Sequence, residues 1–325
     1  MSVVARNYFN NTKIINKISE IEDLMSKIQI NEFGKRKSDI VTYLDFNASN
    51  KALLSEPISQ FEVVVMDAIY TLNLNGKILF TSEMVANVIA GKEVGKDKNS
   101  SMRFKMIDEA IMRLSCIRVS IDCSENLKKY LAKVPDLEAR HNDYVLPIEF
   151  LTIKSRIKKI DKTIYHLKDV PILYLYAEAM GRIVSVPTEL MSIPNTREDV
   201  LFSVLKREIV KTIAIMKNKK NNYSSRVISY EWKDGEEVRG LFDRIGIKKD
   251  DYANDSQWRK KKSKINTMIA QILDHLVNEQ YIDGYDFNKK SGSITGVFID
   301  IQDSKKTKTK GEEVGTQKCE EMGTI

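Results

Sequence analysis

Residues 257–278 read QWRKKKSKINTMIAQILDHLVN, and the fold turns on this stretch. Ile265, Ile269, Ile272 and Leu276 recur at helical spacing, with Trp258 at nearly the same angle two turns earlier, which is the stripe of a helix packed on a core. At roughly 100° per residue, the opposite side carries Arg259, Lys260, Ser263, Lys264, Asn266, Thr267, Ala270 and Gln271, with no acid before Asp274. Lys261 and Lys262 complete five basic residues in 257–264, a segment that holds no acid.

Working outward, residues 280–287 and 293–301 alternate as two strands joined by Asn288, Lys289, Lys290, Ser291 and Gly292, a hairpin with glycine near its end. Upstream, Leu201, Val204, Leu205, Ile209, Ile213 and Met216 predict a helix over 199–216, and Val238, Leu241 and Phe242 a second over 236–245. Three helices closed by a hairpin is the helix-turn-helix plan with a wing.

The same order stands earlier in the chain. Pro57 and Ile58 open a helix through Phe61, Val64, Val65, Ala68, Ile69 and Leu72 that ends near Asn75-Gly76. Thr81 or Ser82 caps a second helix, stopped by Gly91, and Phe104, Ile107, Ile111 and Leu114 form the core stripe of a third. Ile117, Val119 and Ile121 then alternate as the closing strand. The third helices share texture, FKMIDEAIMRL from Phe104 beside INTMIAQILDHL from Ile265, which points to an internal duplication.

Thr12 caps an expected amphipathic helix to Ile28 with a seam of Ile14, Ile18, Ile21, Met25 and Ile28. Fewer than three heptads favour packing on its own domain over a coiled coil. Residues 144–167 read as strands, 170–180 as a short helix, and Pro187, Pro194 and Asn195 as a boundary. The expected fold is therefore α+β and mainly helical: an N-terminal amphipathic helix over 1–35, a first winged-helix domain over 36–194, a second over 195–302, and a disordered tail over 303–325.

Composition narrows the function. Cys116, Cys123 and Cys319 are too few and too irregular for a disulfide framework or a zinc site, and His141, His166 and His275 lie far apart. Gly91 to Asp97 is one residue short of a phosphate-binding loop and lacks its Ser or Thr. A non-enzymatic protein without cofactor or metal is expected. With neither a signal-like opening nor an apolar run near about 20 residues, the expected location is the cytoplasm, away from membranes.

The net charge of +7 makes a polyanion a natural partner. On the third helix of the second domain, small side chains admit a close backbone, cations meet phosphates, and Asn266 and Gln271 carry amides suited to adenine edges. Lys217, Lys219, Lys220 and Arg226 follow that domain's first helix, and Lys289 and Lys290 stand at the wing tip. The partner expected from these residues is double-stranded DNA. In the first domain, Lys92, Lys96, Lys98, Arg103 and Lys105 lead into the third helix, but Asp108, Glu109, Met102 and Met112 on its outer side suit protein contact, including a homodimer.

Tandem winged helices with a basic second reader resemble the plasmid and mobile-element replication initiators that bind repeated origin sites (iterons). The blocks 61–123 and 228–301 carry that resemblance. It implies origin binding, self-repression as a homodimer, and recruitment of the host replication initiator and helicase. A transcriptional repressor of the same fold, or a module aimed at host proteins, are the alternatives.

Overall fold

The computed structural model describes residues 4–33, 39–94, 98–123, 140–155, 160–194, 196, 199–217, 225–231, 240–290 and 292–301. At the N-terminus β1 (Arg6–Asn10) leads to α1 (Lys13–Ile18), which Thr12 caps by accepting from the Ile15 amide. The helix stops at Ile18 rather than Ile28. Ile14, Ile15 and Ile18 already bury its apolar side, the Leu24 amide is drawn to the carbonyl of Leu54, and Ile28 and Ile30 alternate into a strand, β2 (Ile28–Phe33). The seam is thus part helix core and part strand core, and Met25, within it, is exposed.

After β3 (Asp39–Ala48) comes α2 (Gln60–Leu74), opened by a reciprocal capping box between Ser59 and Glu62. The short β4 (Leu79–Phe80) precedes α3 (Ser82–Ala90), capped by Thr81 and ended by Gly91 in a left-handed conformation. Then follow α4 (Lys98–Cys116) and β5 (Ile117–Asp122). The strand β5 is not a wing. It is central in the sheet β2-β3-β5-β6, between β3 and β6 (Arg140–Tyr144), and its Ile117, Val119 and Ile121 are buried.

The hairpin that completes the first unit is β7 (Ile148–Ser155) with β8 (Ile160–Leu167), and it forms the sheet β4-β8-β7. The second unit repeats this plan: α6 (Val200–Met216), β10 (Ser225–Ser229), α7 (Leu241–Arg244), α8 (Asp255–Asn278), then β11 (Gly284–Lys290) and β12 (Ser293–Asp300) in the sheet β10-β12-β11. In both, the strand between the first two helices pairs antiparallel with the last strand of the hairpin. The two units thus share one order of helices and strands. Gly296 serves it directly, because a Cβ there would lie 2.7 Å from the Ile228 carbonyl oxygen of the neighbouring strand.

Among the described residues twelve strands form four sheets, so the expectation of a mainly helical protein is overturned; the class is α+β with substantial sheet. Of the strands the sequence did not suggest, β1, β2, β6 and β9 (Ile183–Pro187) lie outside the helical trios, β2 and β6 in the sheet β2-β3-β5-β6 and β1 paired with β9. Of the helix expected over 236–245, residues 236–239 lie outside the described residues, as does the tail from 302.

Between the units stand α5 (Ile172–Met180), β9 and a 3-10 turn (Thr188–Met191). This segment, expected as an exposed boundary, is largely internal: Val186, Thr188, Leu190, Met191 and Ile193 are buried. Lys206 of α6, itself buried, donates to the Met191 carbonyl at 2.8 Å, and Lys92 donates to that of Ile193. Beside it lies a buried ionic cluster. Asp67 of α2 takes the Arg207 guanidinium, the Tyr174 hydroxyl at 2.6 Å and the Asn10 amide at 2.9 Å; Glu208 takes Arg207, Lys211 at 2.7 Å and Arg244 at 3.6 Å.

Candidate nucleic-acid interface

The helix α8 begins where Asn254 accepts from the Gln257 amide at 2.9 Å. Its inner side, Trp258, Ile265, Met268, Ile269, Ile272, Leu273 and Leu276, is buried as the stripe requires. Trp258 is held by Phe242 and Tyr252, with ring centroids 5.3 and 5.4 Å away. Arg259, Lys260, Ser263, Lys264, Thr267 and Gln271 are exposed on the outer side, whereas Lys261, Lys262 and Asn266 are half-buried. The helix N-terminus adds a partial positive charge to the end where the cations gather.

Several of these side chains have local partners. Lys264 lies 3.6 Å from Asp199, the cap of α6, in a solvent-exposed pair. The Thr267 hydroxyl donates to the Ser263 carbonyl at 3.1 Å, and the Lys262 ammonium stands 5.5 Å from the Trp258 ring. Asp274, the first acid on the outer side, accepts from the Tyr285 hydroxyl at 2.7 Å and so ties α8 to β11. Burial and that carboxylate together push the Tyr285 phenol up to about 12.

The hairpin turn is shorter than the sequence suggested. Lys289 and Lys290 belong to β11, paired with Ile294 and Ser293, and only residues 291–292 connect the strands, with Gly292 at φ +77°. A left-handed glycine suits so tight a turn. Both lysines are exposed. The register shifts between Asn288 and Lys289, a bulge that bends the tip.

Other expected contacts fall elsewhere. Lys217 is half-buried, donates to the Tyr281 carbonyl and stands 4.2 Å from the Tyr281 ring, so it fastens the end of α6 rather than facing a ligand. Burial lowers its ammonium pKa. Arg103 is only 7% exposed and donates to the Ser203 hydroxyl of α6 at 3.3 Å, which joins α4 to the second unit and removes it from any phosphate surface. Lys105 is exposed beside Glu109 at 3.7 Å. Lys96, Lys219 and Lys220 lie outside the described residues, and of Lys98 and Arg226 only the backbone, in α4 and β10, is described.

The sequence reading passed over Tyr230. It follows β10, is 1% exposed, packs on Phe242 at 4.9 Å, and donates its hydroxyl to the Asn266 Oδ1 at 2.8 Å. One tyrosine after a short strand gives no sequence signal of what it will touch. Among the described residues no group of three His, Cys, Asp or Glu side chains could hold a metal, and no helix is long and apolar enough to cross a membrane.

No protein-family model matches this chain, and no curated protein matches it. Similar solved structures include two of domains 2 and 3 of RctB. One is 11% identical with a TM-score of 0.41, covering 90% of this chain and 97% of that one. The other, a selenomethionine derivative, is 12% identical with a TM-score of 0.41, covering 85% and 90%.

Proposed function

We propose that this chain is a sequence-specific double-stranded DNA-binding protein of the replication-initiator type, without enzymatic activity, whose second unit acts as a winged helix and principal reader. One observation carries the proposal: α8 exposes Arg259, Lys260, Ser263, Lys264, Thr267 and Gln271 together, on a helix whose inner side is fully buried. Such a surface puts cations on phosphates and polar side chains on base edges. The exposed Lys289 and Lys290 on the same unit's hairpin supply backbone contacts beside the site.

The duplicated plan gives the initiator reading its form, with the first unit as a secondary DNA contact or homodimer surface and the host initiator and helicase as further partners. Selection of bound duplexes from random DNA by the full chain tests it. Direct repeats are expected. A single palindrome would favour a repressor, and no enrichment would overturn DNA reading altogether.

A further inference from the structure

Asn266 is half-buried on α8, and the end of its amide that faces the protein is already occupied. Tyr230 is a fixed donor: its amide bonds the Thr295 carbonyl at 3.0 Å, its carbonyl takes the Phe242 amide at 3.0 Å, and its ring lies against Phe242. Burial raises the phenol pKa, so the hydroxyl keeps its proton and donates. An asparagine offers one carbonyl oxygen and one NH2 group at opposite ends of a planar amide. With the oxygen held inward at 2.8 Å by a side chain only 1% exposed, the NH2 is the end left toward solvent.

Resting on the assignment of α8 as reader, we infer that Tyr230 is a positioning residue that fixes the polarity of Asn266, making it a hydrogen-bond donor to a base acceptor rather than a two-bond partner of adenine. Adenine pairing needs the carbonyl and the NH2 on one base edge. A donor alone is best matched by guanine, whose major-groove edge presents two acceptors, N7 and O6. This reverses the adenine preference that the residue type by itself suggests.

The test is selection from random DNA with the full chain and two variants, read with salt-dependent affinity. The unsubstituted protein should prefer guanine at one position by roughly tenfold. Tyr230→Phe frees the amide to turn over, so that position should shift to adenine or lose its preference, while the salt dependence stays the same. Asn266→Asp still accepts from Tyr230 but has no donor, and the position should move to cytosine, whose N4 donates. An adenine preference in the unsubstituted protein, or a Tyr230→Phe profile identical to it, would overturn the inference while leaving DNA reading intact. Absence of any sequence preference would remove both.

Discussion

Arg259 and Lys260 are exposed on the cationic end of α8, outside the core that holds the helix. Replacing both with alanine should leave stability within about 0.5 kcal/mol and lower affinity for all DNA sequences alike. The slope of log affinity against log salt should become shallower by about one unit per lost phosphate contact. Thermal melts and anisotropy titrations read the two effects separately. Lys264 differs, because its exposed pair with Asp199 is worth at most about 1 kcal/mol and leaves it able to turn to a phosphate. At this scale the sequence showed which residues face outward on α8, since angle follows from spacing. It did not show Tyr230 behind Asn266, or that Arg103 and Lys217 turn inward, because contacts between distant segments leave no periodicity.

Among the elements, α2, α3, α4, α6 and α8 were legible from their apolar stripes, and for α3 and α6 the starts coincide with Thr81 and Asp199, each of which accepts a hydrogen bond from the first turn. The strands β5, β7 and β8 were legible as strands but not as partners. In the sequence β5 reads as the strand that closes the first helical trio, whereas the strand that pairs with β4 is β8. The hairpin of the second unit bears its own prediction. Lys289→Ala with Lys290→Ala should weaken binding to all sequences equally and reduce the salt slope by about one unit per lost phosphate contact. An unchanged slope would place these lysines away from DNA.

A buried ionic cluster joins the two units, from Asp67 of α2 to Arg207 of α6. Lys206, Arg207, Glu208 and Lys211 occupy what the stripe of α6 marks as a polar, outward side, yet all four are buried, because α2, β1 and the 188–193 segment cover it. The sequence could not reveal this, since a solvated charged face and a paired buried one have the same composition. Asp67→Ala should cost about 3–5 kcal/mol, because it removes one of the two carboxylates paired with the buried Arg207 and takes the acceptor from the Tyr174 hydroxyl and the Asn10 amide; urea unfolding measures it, and a loss below about 1 kcal/mol would mean that the cluster relaxes or fills with water.

Lys211 adds a pH signature. Burial and the neighbouring Arg207, only partly offset by Glu208, lower its pKa to about 8, against an unfolded value of about 10.4. Between those values the unfolded chain holds a proton that the folded chain has released, so this group's contribution to stability rises with pH. The stability difference between the protein and Lys211→Met should therefore grow from about pH 8 to about pH 10. A constant difference would contradict the assignment.

The central claim is that α8 and its hairpin form one DNA-reading surface on an otherwise locked molecule. Its most direct measurement is the salt dependence of affinity for a selected duplex, compared between the full chain and a variant with Arg259, Lys260, Lys289 and Lys290 all replaced by alanine. The account predicts a salt slope shallower by about three to four units and an unaltered melting temperature. Equal slopes in the two proteins would contradict it.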